Sequence, residues 1–70
     1  MNNVQLGPTA QQVLNVMRSH PGELFSPEEL TEHVDCTAMQ VRVALETLLS
    51  HGLVEKERTA GGIDEYVLRA

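Results

Sequence analysis

A chain of 70 residues with one cysteine and a formal charge of −5 makes one small domain near the lower size limit for unaided folding, and it can form no internal disulfide. No stretch approaches the roughly 20 consecutive apolar residues of a membrane span. Met1 to Leu6 lacks the basic and apolar regions of a signal peptide, so a cytoplasmic, reducing setting is expected.

Residues 1–8 show no period and read as a flexible arm, leaving one domain over 9–70. Pro8-Thr9 opens the first helix, with Thr9 as its expected cap and Gln12 at the capping-box position. Ala10, Val13, Leu14 and Met17 then recur at helical spacing and form one apolar stripe. His20-Pro21-Gly22 ends it. Leu24-Phe25 is a short apolar pair, fit for a strand of one or two residues. Ser26-Pro27-Glu28-Glu29 starts a second helix: serine caps it, proline takes the first helical position, and Glu29 takes the third. This helix is predicted to be short, to face Leu30 and Val34 inward, and to end near Val34-Asp35.

Asp35-Cys36-Thr37 turns the chain. Thr37 and Gln40 stand at capping-box spacing, and Val41, Ala44, Leu45, Leu48 and Leu49 form the buried stripe of a third helix. Gly52 supplies a left-handed stop. Leu53 to Arg58 and Ile63 to Arg69 read as antiparallel strands joined across Gly61-Gly62. The fold class is mainly α with a small β-hairpin, in the order α-β-α-α-β-β.

Other candidate chemistry is thin. His33 and Cys36 stand at metal-ligand spacing, but no second pair follows. They read as a surface histidine and a small thiol filling the turn. No metal or cofactor is expected. There is no Ser-His-Asp order, no Cys-His-Asp order and no phosphate-binding glycine loop. A chain this small is expected to lack an enzyme-sized cleft, so neither catalysis nor a small-molecule substrate is expected. Phe25 and Tyr66 are the only aromatics among Phe, Tyr and Trp, and both fall at core positions. That argues against a stacking platform for single strands.

Three segments carry a resemblance. They are Phe25-Ser26-Pro27-Glu28-Glu29-Leu30, Val34-Asp35-Cys36-Thr37, and Val41-Arg42-x-x-Leu45-x-x-Leu48-x-x-x-Gly52-Leu53-Val54. The last has the cadence shared by MarR-like, DeoR-like and many small phage and plasmid regulators. Over residues 9–69 the chain resembles the winged helix-turn-helix superfamily, and Glu65-Tyr66-Val67-Leu68 resembles the strand returning from the wing. The resemblance implies three helices plus a two- to three-stranded antiparallel wing. It also implies that the third helix enters the major groove of double-stranded DNA. Thr37, Met39, Gln40, Arg42 and Val43 would then face DNA, with Lys56 and Arg58 of the wing on the backbone. Gln40 suits adenine, Arg42 suits guanine, and Thr37 at the helix N-terminus suits a phosphate.

On this reading the chain is a small DNA-binding transcriptional regulator. It is expected to act as a homodimer or with a partner protein, and the arm and first helix around Val16 would form the dimer surface. The charge balance gives a second reading. DNA-binding domains are usually basic, because phosphate neutralisation supplies much of their affinity. Here Arg42 is the only basic residue on the third helix, while Met39, Val43 and Glu46 share its exposed side. An acidic winged helix can instead serve as a protein-protein interaction module within a larger complex.

Overall fold

The apolar stripes of the three helices meet around one centre. The computed structural model describes residues 6–69. Helix α1 spans Pro8–Ser19, α2 spans Pro27–Thr31 and α3 spans Ala38–Ser50. Strands β1, Val54–Arg58, and β2, Asp64–Leu68, follow as an antiparallel hairpin. Most of the expected N-terminal arm lies outside the described residues. Of its last residues, Leu6 packs against the core and Pro8 is the first residue of α1.

The start of α1 corrects the sequence expectation. Gly7, not Thr9, is the N-cap, and no side chain caps this helix. Proline fits the first helical position because its missing N–H would have no partner there. Its fixed φ therefore sets the boundary two residues earlier, and the Gln11 N–H donates to the Gly7 carbonyl at 3.0 Å. Thr9 is left inside the first turn. The other two caps are as expected. The Ser26 hydroxyl accepts from the Glu29 N–H, and the Glu29 carboxylate accepts from the Ser26 N–H at 2.8 Å. Thr37 and Gln40 repeat the arrangement at the start of α3.

Helix α2 is shorter than its pattern implied, five residues ending at Thr31. The amides of His33 and Val34 both donate to the Leu30 carbonyl, which closes the helix and starts the turn toward Thr37. Val34 still packs against the core, but from that turn.

Val13, Met17, Leu30, Val41, Leu45 and Leu48 are fully buried, so all three helices contribute to one cluster. Burial of a side chain of this size stabilises by about 1.5–3 kcal/mol. Val16 is half-buried and packs against the same cluster. Gly52, at φ +73°, takes the left-handed turn that ends α3. The Leu53 N–H returns to the Leu48 carbonyl at 3.0 Å, and the chain passes straight into β1.

In the hairpin, Lys56 lies opposite Tyr66 and Arg58 opposite Asp64. At its tip the Thr59 N–H donates to the Ile63 carbonyl at 2.8 Å, and Gly62 at φ +81° makes the turn. The expected strand of one or two residues is the single residue Phe25. Phe25 pairs with Tyr66 through two backbone bonds of 2.9 and 2.7 Å, tying the hairpin to the α1–α2 connection. Among the described residues, no helix is long and apolar enough to cross a membrane.

Candidate nucleic-acid interface

Helix α3 buries Val41, Ala44, Leu45 and Leu48, so its other side is left to solvent. Met39 and Val43 stand out there, 72% and 63% exposed. The face starts at the Thr37 cap. The Gln40 N–H donates to the Thr37 hydroxyl at 3.1 Å, and the Thr37 N–H donates to Gln40 Oε1 at 2.9 Å. Both predicted polar readers are therefore engaged by the helix itself. Gln40 keeps its amide nitrogen free as a donor, but its acceptor is committed, so a bidentate contact to adenine requires opening the cap.

The basic residues are also engaged. Arg42 Nη2 donates to Glu28 Oε2 at 2.7 Å. Arg58 Nε donates to Asp64 Oδ1 at 3.1 Å, and Arg69 Nε lies 3.7 Å from Glu55. Lys56 and Arg18 form no ion pair among the described residues.

The predicted residues do not form one patch. Arg42 and Lys56 line an open groove of about 690 Å³ between α3 and the wing, together with Glu28, Glu46, Asp64 and Tyr66. Met39, Gln40 and Val43 line a second groove of about 290 Å³ on the other flank of α3, toward the start of α1. Thr37 caps the near end of the helix, and Arg58 lies at the end of β1 nearest the hairpin tip. Of the larger groove's charged walls, Glu28 pairs with Arg42 across the groove, and Asp64 is held from outside it by Arg58. Burial pushes the Tyr66 phenol above its ordinary pKa, with the charges of Glu46 and then Asp64 adding to the rise and Arg42 opposing it.

Glu28, Asp64 and Thr9 were not anticipated at these surfaces. Asp64 was in principle accessible, because the register of a short hairpin sets it opposite Arg58. Glu28 is 14 residues from Arg42, and no local pattern signals that contact.

His33 and Cys36 face different neighbours. The His33 ring packs 5.8 Å from Phe25 and 5.9 Å from His20, while the Cys36 thiol reaches the Thr9 hydroxyl at 3.6 Å. Cys36 is thus half-buried in the turn.

Three helices followed by an antiparallel hairpin, with the third helix exposed along one side, define the winged-helix fold. A crystal structure of the Vibrio cholerae ferric uptake regulator, described for a rearrangement of its DNA-binding domains, has the same fold. It matches 96% of this chain with a TM-score of 0.84 at 18% identity. The match takes in 55% of that protein's chain, so the present chain spans about half its length. No family profile and no curated protein matches the sequence.

Proposed function

We propose that this chain is a small DNA-binding transcriptional regulator, with α3 in the major groove of duplex DNA and the wing along the backbone. The observation that carries this reading is the arrangement itself. A doubly capped helix N-terminus and an exposed helix face stand beside a hairpin whose Lys56 is unpaired among the described residues. The ferric uptake regulator of the same fold has DNA-binding domains, which supports the reading.

The internal ion pairs are compatible with it. An exposed pair such as Arg42–Glu28 is worth about 0–1 kcal/mol. A bidentate arginine–guanine contact discriminates by about 1–3 kcal/mol. The Arg42–Glu28 pair is therefore weak enough to be given up for a guanine edge. Phosphate contacts are few, so one copy binds weakly, and a homodimer on half-sites about one helical turn apart is the expected working unit. Thr37 and the start of α3 take a phosphate, and Lys56 and Arg58 take flanking backbone.

Fluorescence anisotropy with random duplex at low and moderate salt tests the proposal. Binding should fall as salt rises, with a slope of about 0.9 for each phosphate neutralised. Absence of duplex binding at low salt would end it. One observation favours a protein-interaction module instead: three of the five basic residues, Arg42, Arg58 and Arg69, are already paired within the free chain. In that case Met39→Asp or Val43→Asp abolishes a protein complex and leaves no DNA signal to lose.

A further inference from the structure

The two flanks of α3 differ in kind. Toward the wing, Arg42 and Glu46 stand among Glu28, Lys56 and Asp64. Toward α1, Met39 and Val43 border a groove whose polar members are Thr9, Gln40 and Thr47. The chain has ten acidic residues, and none lines this second groove. The flank is apolar, edged by neutral hydroxyl and amide groups, and sits in the first turns of a helix, where the dipole is positive. No carboxylate lines this groove, and the nearest on α3, Glu46, stands three residues from Val43 on the wing side.

We infer that Met39 and Val43 read the C5-methyl groups of thymines in the major groove. The inference rests on the DNA-binding reading above and gives its site a sequence preference. An α-helix rises 1.5 Å per residue, so the two side chains are about 6 Å apart along the axis. Successive bases on one strand are spaced by about 3.4 Å. The strip therefore spans about two base steps. Of the four bases, only thymine presents a methyl group in the major groove, whereas cytosine presents an amino donor. Neither Met39 nor Val43 can accept a hydrogen bond of useful strength from that donor. Cytosine opposite the strip leaves a desolvated donor without a partner, and thymine leaves none. Arg42, on the adjacent flank, is placed to take a guanine beside the thymines.

The test begins with duplexes enriched from a random pool by the full chain. An enriched duplex is then compared with the same duplex carrying deoxyuridine for every thymidine, which removes the methyls and keeps the hydrogen-bonding edges. The uracil duplex should bind about fourfold more weakly for one covered methyl and about fifteenfold for two. Met39→Gln with Val43→Asn removes both apolar tips and changes only exposed side chains, and circular dichroism melts check that the fold survives. This double variant should bind both duplexes alike. Equal affinity of the wild-type chain for both duplexes overturns the inference and leaves the DNA-binding reading intact. Undiminished discrimination by the double variant also overturns it, by placing the methyl sensitivity elsewhere. Failure of the wild-type chain to enrich any duplex at low salt overturns both together.

Discussion

Arg42 and Glu28 are joined by a 2.7 Å ion pair that bridges α3 and α2. The one arginine of the third helix is thereby paired before any partner arrives. Both side chains are exposed, so the pair is a weak latch. Glu28→Gln should keep the fold, because the α2 capping box uses Glu29 and Ser26. It should tighten duplex binding by up to about fivefold, the equivalent of a surface pair near 1 kcal/mol. Anisotropy titration reads this directly. Weaker binding at unchanged melting temperature would contradict the latch and make Glu28 a residue that orients Arg42.

The remaining basic residues separate by location. Arg42→Ala should weaken binding by about 1–3 kcal/mol and relax preference at one base position. Lys56→Ala should weaken binding to all sequences alike and lower the salt slope by about one unit. Arg58→Ala frees the Asp64 carboxylate, its partner at 3.1 Å. It should therefore weaken binding more than Arg58→Ala combined with Asp64→Ala. Titrations of the single and double variants at several salt concentrations check this ordering.

Leu48 lies fully buried on the inner side of α3. Truncation to alanine should destabilise the domain by about 2–5 kcal/mol. Small domains sit at the low end of the usual range, on the order of 5 kcal/mol, so this change alone approaches unfolding. A urea melt showing a loss below about 1 kcal/mol would mean that the inner side of α3 has been misassigned.

Two threonines near helix starts should behave differently. Thr37→Ala removes a true cap and should destabilise by about 0.5–2 kcal/mol. Thr9 is not the helix cap, and among the described residues its hydroxyl meets only the Cys36 thiol. Its replacement by alanine should have the smaller effect in parallel thermal melts.

Tyr66 predicts an alkaline limit. Its folded pKa lies above the ordinary 10.0. The folded state then holds the phenolic proton in a pH range where the unfolded chain has released it. Stability contributed by this group is complete below about pH 10 and falls as pH rises through the folded pKa. Tyr66→Phe should remove that part of the alkaline decline. Denaturant melts of both chains between neutral and alkaline pH would show it, and parallel declines would refute it.

The fold was legible because its signals are local. Serine or threonine followed by Glu29 or Gln40 three residues on marks two helix starts, and both boxes are formed. Gly52 marks a stop that needs positive φ, and it adopts one. The start of α1 was misread because Thr9 and Pro8 both carry helix-start signals, and the proline's ring geometry prevailed. The length of α2 was misread because the turn toward α3 draws the amides of His33 and Val34 back to one carbonyl. The candidate site was legible only in part. Exposure of Met39, Arg42 and Val43 follows from the helical period. The Glu28 contact depends on how two helices cross, which no pattern within either helix encodes. The division of α3 into an acid-free flank and a charged flank has the same origin.

The Phe25–Tyr66 pairing has a consequence for motion. A lone two-stranded ribbon is only marginally stable in water. Here the ribbon's midpoint is laced to the connection between α1 and α2 by two amide bonds, with both side chains in the core. The paired part of the wing therefore opens only when the helical core opens, whereas its tip from Thr59 to Ile63, beyond the Arg58–Asp64 pair, is held by turn contacts alone and frays independently. Amide exchange should divide the hairpin accordingly, slow and globally governed at Phe25 and Tyr66, fast beyond Arg58. A wing built this way is stiff at its root and compliant at its end, able to mould to a curved surface without disturbing the helix beside it.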